Sequence, residues 1–82
     1  MSQHVVSALV ENRAGTLSRV SGLFSRRGYN IDSLHVNETE NPEVSRMLIV
    51  SKGDEYIQTQ IVRQLSKLYD VMEVTLMAKV NL

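Results

Sequence analysis

Along these 82 residues the spacing of apolar side chains reads, in order, as strand, helix, strand, strand, helix, strand. That order restricts the fold more than any other feature. The run "HVVSALV" is β-branched and apolar and is bounded by the polar "ENRAG", which predicts a buried strand at about 4–11. From Thr16 to Arg27, Leu17, Val20, Leu23 and Phe24 recur at helical spacing, and Gly28 is a natural left-handed stop. "NIDSLHVNET" predicts a second strand over 31–39 with Leu34 and Val36 on one face. "ENPE" ends it, because Pro42 cannot extend a ladder. "VSRMLIV" predicts a third strand over 44–51, apolar enough to be central, and the short turn makes the pair an antiparallel hairpin. Asp54 then caps a second helix whose buried stripe is Ile57, Ile61, Leu65 and Leu68. "YDVMEVTLMAKV" closes the chain as an alternating strand with Met72, Val74, Leu76, Ala78 and Val80 on one face.

A faint repeat supports the division into halves: Tyr29-Asn30-Ile31 follows the first helix as Tyr69-Asp70-Val71 follows the second. Two split β-α-β units with right-handed crossovers give an α+β, ferredoxin-like βαββαβ sandwich, a four-stranded antiparallel sheet with both helices on one face. The expected strand order is 4-1-3-2, with the second strand at an edge and the first helix crossing near it. A single domain over 1–82 follows, with its core at about 4–80. A chain this short buries only roughly 60% of its unfolded surface, so self-association that hides more is expected.

Nine basic and nine acidic residues cancel, leaving no net field to draw in nucleic acid or anionic lipid. There is no cysteine for disulfides, thiolate metal sites or nucleophiles. The longest apolar run, Met47–Val50, is four residues, and "MSQHVVSAL" has no signal-peptide pattern, so a cytoplasmic, soluble chain is expected. His4 and His35 stand apart from any metal-ligand spacing: His4 is expected exposed at a strand start, and His35 in the edge strand, solvated or facing a partner. Of the six arginines, Arg19 and Arg26 fall opposite the apolar stripe of their helix and are expected in solvent. No glycine-rich nucleotide signature occurs, and none of the four aromatic residues lies in a predicted central strand, which excludes an aromatic RNA platform. The sequence predicts no catalytic residue, metal or cofactor in this chain.

The turn "ENRAG" and the helix after it carry a different signal. The first turn of that helix offers free backbone N–H groups and the positive end of the dipole, which suit a carboxylate. Gly15 leaves room for a close approach, and Asn12 both donates and accepts. Together they suit a zwitterion such as a free amino acid. The plainer alternative is that Asn12 caps the helix and Gly15 permits a tight turn. On the outer face of the same helix, Ser18, Ser21, Gly22 and Ser25 cluster, small enough for another helix to approach. Edge-to-edge pairing with a symmetry mate would extend the sheet to eight strands, with Leu34 and His35 at the interface. Asn30 and Ile31 would then face the partner's Asn12–Gly15 turn. The alternative there is an exposed, serine-rich helix.

The strings "LVENRAGTLSRVSGLFSRRGYNIDSLHV", "NPEVSRMLIV" and "QLSKLYDVMEV" closely resemble the N-terminal ACT domain of the small, regulatory subunit of acetolactate synthase (acetohydroxyacid synthase), from about Val6 to Val74. The resemblance implies the βαββαβ fold and a subunit without catalysis of its own. It implies a partner, the large catalytic subunit, which carries thiamine diphosphate, magnesium and usually FAD. It also implies feedback by valine, or in some members leucine or isoleucine, bound at the ACT dimer interface in branched-chain amino acid synthesis. Matched position by position, Asn12, Gly15, Asn30 and Ile31 are the implied ligand residues, with Ala14, Thr16 and Leu17 supplying nearby backbone. Family members commonly continue into a C-terminal domain, whereas this sequence ends at Leu82; a short-form subunit and a stand-alone ACT sensor both fit. Two rivals are a docking module that binds no ligand and an acylphosphatase-like hydrolase using Arg13 and Asn37, although the loop lacks a glycine-rich phosphate cradle.

Overall fold

The computed structural model describes the backbone of residues 2–81 and side chains over residues 3–77. Six elements follow in order: β1 (Ser2–Glu11), α1 (Thr16–Arg27), β2 (Ile31–Glu38), β3 (Val44–Lys52), α2 (Glu55–Ser66) and β4 (Val71–Asn81). The strands form one antiparallel sheet in the order β2-β3-β1-β4, which leaves β2 and β4 at its edges. The predicted order and hairpin are both observed.

Strand alternation decides which face is covered. On β1 the even positions Val6, Ala8 and Val10 are essentially solvent-free, and their cross-strand neighbours on β3 are Ile49, Met47 and Ser45. The helices lay Val20, Leu23, Phe24, Ile61 and Leu65 on that same face, so one core cluster joins both layers. Tyr29 meets Phe24 edge-on at 5.9 Å just after α1 ends. That end is Gly28, at φ 71°, whose N–H reaches the carbonyls of Phe24 and Ser25. The left-handed conformation is what makes glycine fit there.

Three expectations fail for identifiable reasons. His4 is 2% exposed, because β1 starts at Ser2 and an even-numbered residue points under the helices, opposite Ser51. Leu17 is 47% exposed; Thr16 takes the first core position on α1, its hydroxyl donating to the Glu11 carbonyl at 3.0 Å. Met72 is 59% exposed, because a register shift between Leu9 and Val10 sets Val71 opposite Val10 and into the core layer. Val36 shares a face with the half-buried Leu34, as expected, and is 50% exposed at the edge of the sheet. The side chains of Ala78 and Val80, the last members of the predicted alternation, lie outside the described residues.

Candidate functional site at the start of the first helix

Helix α1 begins on Gly15, at φ 88° and ψ −11°, with no side-chain cap and no acidic residue in its first turn. Its N-terminal amides are therefore not answered by a side chain, and the positive end of its dipole is not offset by a local carboxylate. A non-glycine residue at Gly15 would be strained, and its Cβ would lie 2.9 Å from Arg19 Nη1. The glycine thus permits both the turn and the guanidinium that lies over it.

Arg19 corrects the expectation of a solvent-facing arginine. Its Nε is ion-paired with Oδ2 of Asp70, a carboxylate only 2% exposed, and its Nη2 lies 3.5 Å from the Ala14 carbonyl. Asp70 is fixed in turn through its own carbonyl, which accepts the Glu11 N–H at 2.8 Å. A buried carboxylate needs a cationic partner. Asp70 therefore holds Arg19 back over Gly15 at the helix start. Sequence reading missed both residues. The one available signal was the repeat that places Asp70 where the first half has Asn30.

Asn12 does not cap α1. Its Nδ2 donates to the Pro42 carbonyl at 3.2 Å, and its backbone N–H donates to Glu43 O at 2.8 Å. The β2–β3 turn is thereby tied to the loop that feeds α1, and the Asn12 side chain keeps its oxygen and one N–H for other partners. Two clefts flank Asn12 at this turn, one of about 310 Å³ and one of about 410 Å³. Arg13 is engaged elsewhere, 2.5 Å from the Glu11 carboxylate and 5.3 Å from the Tyr69 ring centre. Hydrogen bonding to Tyr69, and then the Glu11 charge, raise its pKa further. Those contacts commit the arginine that a phosphate cradle would require.

Asn30 and Ile31 are not part of this cluster. Asn30 is exposed and its Nδ2 donates to Asp32 at 3.1 Å, while Ile31 is half-buried against the core. The ladder measures their separation: Ile31 is opposite Ser51, which is opposite His4, whereas Glu11, beside Asn12, is opposite Val44. From His4 to Glu11 is roughly 23 Å along the strand. The predicted ligand residues therefore form two groups at opposite ends of one chain's sheet. Ala14, Thr16 and Leu17 go with the Asn12 group; Thr16 is buried, and Leu17 offers its side chain where only backbone was expected. The small helix face is partly exposed as expected, with Ser18 and Ser25 open, Ser21 and Gly22 half-buried, and Arg26 leaning over Gly22. His35 is exposed on β2.

Comparison with known proteins follows the same lines. The model of the family described as the AHAS small subunit-like ACT domain matches residues 6–73. A probable acetolactate synthase small subunit from Methanothermobacter thermautotrophicus is 51% identical over 71 residues, 87% of this chain and 42% of that protein. The acetolactate synthase isozyme 3 small subunit of Escherichia coli is 53% identical over 73 residues, 89% and 45% of the two chains. Among solved structures, the acetolactate synthase small subunit of Thermotoga maritima superposes with a TM-score of 0.85 at 46% identity, covering 90% of this chain and 46% of that one. The chain thus spans less than half the length of these relatives. The ACT domain of a GTP pyrophosphokinase from Chlorobium tepidum, at 17% identity and a TM-score of 0.75, shares the fold alone. With its βαββαβ sheet, open helix start and these matches, the chain belongs to the family of acetolactate synthase small-subunit ACT domains.

Proposed function

We propose that this chain is a non-catalytic regulatory unit of acetolactate synthase that binds a branched-chain amino acid, valine foremost, between two copies joined along their β2 edges. The observation that carries the reading is the separation of the two residue groups. An antiparallel pairing of β2 edges about a two-fold axis sets Asn30 and Ile31 of one copy beside the Asn12–Gly15 turn of the other, which one chain alone does not do. The α1 amides and Arg19 would take the ligand carboxylate, and the Asn12 oxygen its ammonium. Ile31 and the exposed Leu17 would supply apolar walls for a branched side chain. One methylene in such a wall is worth only ~1–3 kcal/mol, so leucine and isoleucine compete.

The consequence for the enzyme is a coupling. Ligand binding biases the arrangement in which this chain meets the large catalytic subunit, where thiamine diphosphate, magnesium and FAD reside, and so feeds back on branched-chain synthesis in the cytoplasm. The test pairs sedimentation with thermal melts across the twenty amino acids. A dimer stabilised by valine is expected, since a ligand at 100 times its Kd adds about 2.7 kcal/mol. A chain that stays monomeric defeats the proposal, and a dimer indifferent to every amino acid favours a docking module instead.

A further inference from the structure

An antiparallel sheet with helices on one side commonly leaves its other face to water, and its strands then alternate apolar and polar residues. This sheet departs from that pattern. Val5-Val6, Leu9-Val10 and Met47-Leu48-Ile49-Val50 are unbroken apolar runs, the mark of strands covered on both faces. Val6, Val10, Met47 and Ile49 fill the core under the helices. Val5, Leu9, Leu48 and Val50 therefore point the other way and are only half-buried there, and Met77 joins them at 55% exposure.

The register sets one charge on each side of this apolar patch. Leu9 is opposite Arg46 on β3 and Glu73 on β4, so one row across the open face reads Arg46, Leu9, Glu73. The two charged side chains border a single dent of about 170 Å³ together with Ser7, Leu9, Thr75 and Met77. With β1 between their strands, their backbones are roughly 10 Å apart. Both are exposed, and neither has a hydrogen bond or ion pair among the described residues. A positive and a negative group at equal distances from β1 change places under a two-fold rotation about that strand. The face is therefore complementary to itself.

We propose that a second copy of this chain packs on the open face, sheet against sheet, about a two-fold axis parallel to β1. Arg46 of each copy then meets Glu73 of the other, Leu9 meets Leu9 at the axis, and Val50 reaches Met77. Sheets stacked in this way lie about 10 Å apart, a gap that the arginine and glutamate side chains span together. Strand β2 falls outside the overlap and keeps its edge free, so the proposal is independent of the valine site and stands or falls separately.

The sequence has no cysteine, so one introduced thiol reports the contact. Leu9→Cys should be joined into dimers by a bismaleimide that spans about 10 Å, whereas pairing through β2 edges holds the two thiols about 24 Å apart, five strand spacings. In that background Arg46→Glu or Glu73→Arg sets like charges opposite each other and should raise the protein concentration needed for cross-linking about tenfold or more. The two variants mixed in equal amounts should cross-link as the parent does, since each supplies the charge that the other lacks, and that recovery shows that both fold. Absence of cross-linking in Leu9→Cys overturns the proposal and leaves the face to another occupant. So does cross-linking indifferent to either charge reversal, or a mixture that stays as weak as its components while each keeps the parent circular dichroism.

Discussion

Helix α2 starts on Asp54, whose carboxylate accepts the Ile57 N–H at 2.9 Å, and Glu55 lies in its first turn. Helix α1 starts on Gly15, with no side-chain cap and no acidic residue nearby in its first turn. Both follow a strand of the same sheet and occupy equivalent places in the repeated β-α-β plan. One end closes its own dipole with a side chain, as most helix starts do. The other has no side-chain cap, its Thr16 N–H reaching the Arg13 carbonyl at 3.3 Å, and brings an arginine over Gly15 instead. The difference shows that the fold does not require an open helix start. The open start in the first half is a local departure, and such departures from capping and turn rules concentrate where a chain does something besides fold.

The sharpest way to break the comparison is to supply α1 with a carboxylate of its own. Gly15→Asp places a negative charge at the helix start and beside Arg19, where the ligand carboxylate is proposed to sit. Like-charge opposition at close range costs several kcal/mol, so valine affinity should fall by about a hundredfold or more. The left-handed backbone at φ 88° adds a stability loss of about 1–2 kcal/mol, so the domain should still fold. Calorimetry giving an ordinary valine isotherm for this variant would place the ligand elsewhere.

Arg19→Met keeps the aliphatic stem and removes the charge, leaving Asp70 buried without its cation. Breaking a buried pair from one side costs 3–5 kcal/mol in general; with the Arg19 side chain 48% exposed, a loss of about 2 kcal/mol in denaturant stability is expected. Adding Asp70→Asn should restore part of it. If Arg19→Met alone is as stable as the parent, Asp70 does not hold the guanidinium in place. Asn12→Ala comes next. Loss of a charge-assisted bond to the ligand ammonium should weaken valine binding by roughly tenfold, with a smaller stability cost from the exposed bond to Pro42. Equal losses in binding and stability would mean that Asn12 only anchors the hairpin turn.

The element order, the hairpin, the Asp54 cap and the Gly28 stop were legible because each is written in neighbouring residues. What was not legible depends on partners far away in sequence. Arg19 and Asp70 are 51 positions apart, and nothing local distinguishes Arg19 from a solvated arginine such as Arg26. Met72 and Val71 exchanged roles through a register shift that an alternating pattern cannot display. His4 was misplaced because the polar start of β1 hides two further residues of strand. At the candidate site, the helix start was legible, being a short stretch from Asn12 to Leu17. The proposed placing of Asn12 and Asn30 on different chains was legible too, from the expected strand order; the Arg19 guanidinium over Gly15 was not, because it is set by Asp70 at the far end of the sequence.

Asp54→Ala is the mildest change and the one that sharpens the comparison most. It opens the start of α2 as α1 is already open, without touching any residue proposed to meet ligand. Removing an aspartate N-cap typically costs about 1 kcal/mol, because the Ile57 amide must turn to water and a favourable charge near the dipole is lost. Denaturant unfolding should show that loss with an unchanged slope, and valine affinity should stay within about twofold, far below the tenfold that corresponds to 1.4 kcal/mol. If an uncapped helix start were enough to bind the amino acid, this variant would gain a second valine site per chain. None is expected, since α2 has no arginine across its first turn corresponding to Arg19; a doubled calorimetric stoichiometry would show that the open amides, and not their combination with Arg19, define the site.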